Sequence, residues 1–177
     1  MVASNWKQSL AAVLKSEGGN DDDPADHGGR TSRGITQREY DAWRRENKQA
    51  PMDVWSAPQA DIEAIYHDEY WMPNCDLLPA GPDFLLFNMA VNAGPYRGAI
   101  ILQRAVGVAA DGHIGPLTRE ALRDADARSL IERYSAESRA FYLGLHQAKF
   151  TKGWLNRVEF VRQTALQMIA KKKGPQV

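Results

Sequence analysis

Between Gly81-Pro82 and Gly94-Pro95 lies the most apolar run of the chain, Phe84 to Val91. Gly-Pro pairs break regular structure, so the run is bounded at both ends and reads as a buried central helix. Asn88 and Asn92 stand four apart on it and share a face. Amides in such a setting need hydrogen-bond partners. Sugar hydroxyls or N-acetyl groups would serve, and so would nearby backbone.

The remaining periodicity is also helical. Trp6, Leu10, Val13 and Leu14 fall at i, i+4, i+7 and i+8, one face of a short amphipathic helix. Ser4 or Asn5 can cap its start, and Gly18-Gly19 stop it. Thr36-Gln37-Arg38-Glu39 has the form of a capping box and opens a helix near Gln37 that carries Tyr40 and Trp43. Ser56-Ala57-Pro58-Gln59 has the same form and predicts a helix through Ile62, Ile65, Tyr66 and Tyr70, ending before Pro73. Further helices are expected over Gly98 to Val106, Thr118 to Leu122, Ala127 to Gln147 and about Gly153 to Lys171. Only Gly28 to Ile35 has hairpin chemistry. The expected fold is mainly α, a helical bundle with at most one small β-hairpin near the candidate site. Gly and Pro cluster at Gly94 to Gly98, which divides residues 1–95 from 96–177, two parts joined by a short linker and so tightly packed.

Composition excludes several functions. Of 177 residues 44% are apolar, enough for a core, and 22 basic residues balance 22 acidic ones. The basic footprint of a nucleic-acid binder is missing. No segment approaches the ~18 apolar residues of a membrane span, so stable membrane insertion is not expected. The N-terminus lacks the charged and apolar regions of a signal peptide, which predicts synthesis in the cytoplasm. Cys75 is the one cysteine; it sits in no known nucleophile signature and reads as a buried or incidental thiol. His27, His67, His113 and His146 show no zinc spacing. Asp21-Asp22-Asp23 lacks the offsets of a calcium loop. Neither a metal nor a cofactor is expected, and a monomer is the default.

Glu17 continues the apolar face of the first helix, three residues past Leu14 and four past Val13. The negative end of a helix dipole disfavours a carboxylate there. A carboxyl closing an apolar stripe is a candidate for a raised pKa, which a general acid needs. The competing reading is a solvated last-turn residue. Asp26 lies nine residues on, in a Gly-rich segment able to fold back. Glycoside hydrolysis commonly uses such a pair, one acid for the leaving oxygen and one carboxylate for water or positive charge. Asp26 would alternatively accept hydrogen bonds within its own turn. Thr31 and Ser32 offer hydroxyls to a cleft or to their own backbone, and Gly34 permits close approach of a ligand. Tyr66, Tyr70, Trp71 and Trp43 could stack on sugar rings, although their helical spacing also suits a core.

The segments Glu17-Gly18-Gly19 and Asp26-His27-Gly28-Gly29-Arg30-Thr31-Ser32-Arg33-Gly34-Ile35-Thr36 resemble the opening of glycoside hydrolase family 108. The resemblance continues through Tyr66 to Trp71 and Phe87-Asn88-Met89-Ala90-Val91-Asn92-Ala93-Gly94. From Ala99 onward, Leu102-Gln103-Arg104-Ala105-Val106-Gly107 and Asp111-Gly112-His113-Ile114-Gly115-Pro116-Leu117-Thr118 are similar to a peptidoglycan-binding module. Phage-type lysozymes carry Glu, eight residues, Asp, five residues, then Thr. Glu17 and Asp26 match the first interval, and the second ends on Ser32 with Thr31 before it. The family's usual aromatic after Glu-Gly-Gly is Asn20 here.

The resemblance implies a lysozyme-like α+β catalytic domain over 1–95 and a peptidoglycan-binding part over 96–177. It implies an N-acetylmuramidase that cleaves the β-1,4 bond from N-acetylmuramic acid to N-acetylglucosamine, with Glu17 as the acid. Lysis as an endolysin, aided by a holin, and wall opening for export both fit, with action at the cell wall or in the periplasm. A lytic transglycosylase and a non-catalytic wall-binding protein are the rivals.

Overall fold

The computed structural model of the chain describes residues 5–16, 20–21, 30–71 and 74–171. The fold is mainly α with one small antiparallel sheet, as expected for a lysozyme-like protein. The chain divides into two compact units, Trp6–Glu69 and a second that runs from Tyr70 onward and includes Asn5.

In the first unit, α1 (Trp6–Ser16) buries Leu10 and Val13, two members of the predicted stripe. The sheet has three strands of two residues, β1 (Asn20–Asp21), β2 (Thr31–Ser32) and β3 (Ile35–Thr36), in the order β1-β2-β3. Asn20 pairs with Ser32, and Ser32 with Ile35. The expected hairpin is therefore present as β2-β3, and β1 adds a further short strand to it.

Arg33 (φ +51°) and Gly34 (φ +81°) make the two-residue turn between β2 and β3. Positive φ at both central positions is the primed turn whose twist suits a hairpin. Gly34 adopts it without a Cβ clash, and Arg33 is held there by its hydrogen bonds. Its guanidinium donates to the Gln59 side chain and to the Ala57 carbonyl, each at 2.7 Å. Gly34→Ala should cost about 1–2 kcal/mol through that left-handed geometry, read as a lower urea midpoint. An unchanged midpoint would mean that the turn is not held as described.

The capping box at Thr36 forms. The Glu39 carboxylate accepts from the Thr36 N–H at 2.8 Å, and Thr36 Oγ1 accepts from the Glu39 N–H at 3.2 Å, opening α2 (Gln37–Glu46). The Arg44 guanidinium and the Tyr40 hydroxyl both donate to Asp61 Oδ2, at 2.9 and 2.6 Å, tying α2 to α3 (Gln59–Ile65). Burial and then the bond to Asp61 raise the Tyr40 hydroxyl above its ordinary pKa, so it stays a donor.

The second predicted capping box does not form. Val54–Ser56 is a short 3₁₀ turn capped by Asp53, and the Ser56 N–H closes it onto the Asp53 carbonyl at 2.9 Å. Pro58 instead holds the N-cap of α3, with no side-chain cap. Beyond α3 the helix widens to a π turn over Tyr66–Trp71.

In the second unit α4 (Pro82–Ala93) is the predicted central helix, buried from Pro82 through Ala90. It packs with α5 (Pro95–Val106), α7 (Ala127–Gly144) and α8 (Ala148–Lys171). An all-round apolar helix requires such neighbours. Asp83, buried in its first turn, accepts from the Gly81 and Phe84 N–H groups at 2.8 and 2.6 Å. Gly81 (φ +99°) allows the close packing, because a Cβ there would meet the Ala165 carbonyl at 2.8 Å.

The loop between α5 and α6 (Pro116–Asp124) is built on buried Gln103. Gln103 Nε2 donates to Asp111 Oδ1 at 2.7 Å and to the His113 carbonyl at 3.0 Å, and Gln103 Oε1 accepts from the Gly112 N–H at 2.8 Å. The Gln103 bond, then the His113 N–H, holds the Asp111 carboxyl below its usual pKa. At Gly112 (φ +80°) a Cβ would lie 2.0 Å from the Tyr96 ring. These contacts give the Gln103 and Asp111-to-Thr118 motifs their residue types.

Candidate active site

Glu17 and Asp26, with His27 to Gly29, lie outside the described residues. Their chain neighbours do not. α1 ends at Ser16 and β1 begins at Asn20, so Glu17 sits in the sequence between a helix end and a sheet edge. β1 is paired in turn with Thr31 and Ser32.

The structure gathers Thr31, Ser32 and Gly34 in the β2-β3 hairpin. Thr31 is half-buried and Ser32 is buried, its hydroxyl accepting from Arg33 Nε at 3.3 Å. Tyr66 is only 1% exposed and donates its hydroxyl to the Arg33 carbonyl at 2.8 Å. It therefore holds the hairpin turn from beneath. Trp71 is buried and packs edge-on against Phe87 at 5.4 Å, and Trp43 stacks on Tyr40 at 6.3 Å. Tyr66 and Trp71 take the core alternative foreseen for them, and Trp43 is half-buried.

Asn88 and Asn92 belong to α4, in the other unit. Asn88 is buried, whereas Asn92 is exposed. The Asn92 amide donates to the Asn88 carbonyl at 2.7 Å, and its oxygen accepts from Arg157. Much of their hydrogen-bonding capacity is thus met within the protein.

Three residues of the hairpin's surroundings escaped the sequence reading. Trp55, 38% exposed, donates its indole N–H to the Thr31 carbonyl at 3.0 Å. Arg30 lies over its ring, 4.4 Å from the centroid, and pairs with Asp53 at 2.6 Å. A lone Trp in a short 3₁₀ turn has no periodic pattern to mark it; only its aromatic character in a Pro- and Asp-containing loop is visible in the sequence. Among the described residues no group of His, Cys, Asp and Glu is arranged to hold a metal, and no helix is long and apolar enough to cross a membrane.

Residues 10–94 match the profile of glycosyl hydrolase 108, and residues 97–159 match that of a predicted peptidoglycan domain. The structure of Brucella abortus SagA is similar, with 33% identity and a TM-score of 0.78 over 93% of this chain and 95% of that one. The chain belongs to glycoside hydrolase family 108. No curated protein sequence matches it. This family 108 protein is a peptidoglycan hydrolase of the glycosidase class, with peptidoglycan as its binding partner. Its two family segments meet between 94 and 97, whereas packing divides the chain at Glu69 and Tyr70. α4 thus matches the hydrolase segment in sequence and packs with the helices that follow it.

Proposed function

We propose that this protein is an N-acetylmuramidase in which Glu17 is the general acid. The glycosidic oxygen takes the Glu17 proton as an oxocarbenium-like centre develops, and ionised Asp26 stabilises that centre or positions water. The observation that carries this reading is the order of elements within the hydrolase segment. A carboxyl stands between the end of α1 and a sheet edge whose partner strand bears Thr31 and Ser32. Thr31 lines the cleft, and Ser32, Tyr66 and Gly34 support the hairpin.

The catalytic segment is 1–95 and the wall-binding segment 96–177, in a monomer. The protein is made in the cytoplasm and acts on the wall after release by a holin or passage through an export route, for lysis or for secretion. Digestion of purified murein followed by mass spectrometry tests the chemistry. Reducing muramic-acid ends are expected. Anhydro ends would replace the reading with a lytic transglycosylase, and bound but uncleaved murein would leave a wall-binding protein.

Trp55 is the sugar-stacking side chain of this cleft. Its partly exposed indole is fixed to the hairpin backbone through Thr31, carries Arg30 over its ring, and offers an apolar surface of the kind that sugar rings stack on. Trp55→Ala should raise KM about fivefold with little change in kcat, since stacking serves ground and transition states alike. Steady-state kinetics on soluble glycan chains would show this; an unchanged KM would remove Trp55 from the cleft.

A further inference from the structure

The turn between α7 and α8 carries charge of one sign, positive. No Asp or Glu occurs from Ser138 to Val158, while Arg139, Lys149, Lys152 and Arg157 do, in a protein of zero formal net charge. His146 (φ +52°) turns the chain there. The two helices leave an open cleft of about 870 Å³ between them, lined by Arg139, His146, Thr151, Lys152, Asn156 and Glu159, with Leu155 among them. This volume lies in the ~300–1,000 Å³ range of ligand-sized clefts.

The cleft's polar groups are uncommitted in a particular way. Glu159, its one carboxylate, is held by Arg162 at 2.8 Å and Gln163 at 2.9 Å, which bring its pKa down to about 2. Arg139, Lys152 and Asn156 have no hydrogen bond or ion pair among the described residues; Arg139 feels Glu159 only through its field. The Thr151 hydroxyl donates to the Gln147 carbonyl at 2.9 Å, which leaves its oxygen free to accept. Leu155 supplies an apolar wall. Free cations, an amide and an apolar wall suit an acidic peptide with small apolar side chains.

We propose that this cleft receives the acidic peptide stems of peptidoglycan. The occupant follows from charge complementarity and from position. Every lining residue falls within 97–159, the segment matched to a peptidoglycan domain, and the carboxylates of peptidoglycan reside on its stems. Exposed Leu143, Leu145 and Phe150 beside the cleft would also suit an anionic lipid surface. The hydrogen-bonding groups of the open cleft favour a peptide. The inference rests on the wall-binding character of this segment, not on the bond that is cleaved.

The free stem tripeptide L-alanyl-γ-D-glutamyl-meso-diaminopimelate, which a glycosidase does not cleave, is the probe. Titrated into the full chain and followed by NMR, it should shift the Lys152 and Asn156 amides. Arg139→Glu with Lys152→Glu should weaken binding at least about fivefold, and the Arg139→Gln, Lys152→Gln pair should weaken it less. Circular dichroism of both pairs guards against misfolding. Raised salt should weaken binding to the wild type, as expected of exposed charges. Absence of binding, or equal binding by the charge-reversed pair, overturns the proposal. So would binding to phosphatidylglycerol vesicles, lost in the pair, without any tripeptide response. Cleavage of stem-free glycan, measured in parallel, reports on the muramidase reading separately and should survive both variants.

Discussion

Glu17→Gln should lower turnover of purified murein by about 10²–10⁴-fold, the share that a positioned general acid contributes. Gln keeps the shape of the side chain and removes its acidity, so the fold and pelleting with sacculi should be retained. Mass spectrometry of the digest would show muramic-acid ends from wild type and almost none from the variant. Near-normal turnover would remove Glu17 from the acid role, whatever the products. Asp26→Asn separates two roles for the second carboxylate. A loss as deep as that of Glu17→Gln would mark electrostatic or water-positioning chemistry, and a shallow one would mark support of its own loop.

The largest expected effect on stability lies in the first unit. Asp61→Ala would leave Arg44, buried beside Tyr40, without its carboxylate. An uncompensated buried charge costs about 3 kcal/mol, so the urea midpoint should fall by on the order of 1–2 M. Replacing Arg44 and Asp61 together by Met and Leu should restore much of that loss, because the desolvation cost vanishes with both charges. If Asp61→Ala unfolds where wild type does, the triad is not what joins α2 to α3.

Much of the helical framework was legible in the sequence, for local reasons. Thr36 and Glu39 cap each other reciprocally, a bond pattern confined to four neighbouring residues. The apolar run of α4 and the Gly-Pro pairs beside it needed no tertiary information. Helix starts were read late where Pro stands at the first position. α5 begins at Pro95, before the expected Gly98, and α6 at Pro116, before Thr118. The fixed φ of Pro fits the first turn, so the break and the start coincide. α8 begins at Ala148 and runs through Gly153, around which there is open space and no steric demand. α7 stops at Gly144 because the turn is made by Leu145 and His146, earlier than the expected Gln147.

The failure at Ser56 has a different cause. A capping-box pattern is four letters long, and here Ser56 is taken up in a turn capped by Asp53 while α3 starts after Pro58. The site was legible only as residue types in order. Which hydroxyl is buried, that Tyr66 serves the Arg33 carbonyl, and that Trp55 reaches Thr31 all depend on contacts between residues more than twenty apart.

Cys75 lies buried, and desolvation, before the field of Asp83, pushes its thiol pKa well up. Thiolate is the reactive form, so this sulfur should resist alkylation until the protein unfolds. The route to the wall proposed above would bring the protein past oxidants and foreign thiols. With its one thiol sealed in the fold, the folded chain offers no partner for a mispaired bridge to another molecule, and only unfolding would expose it.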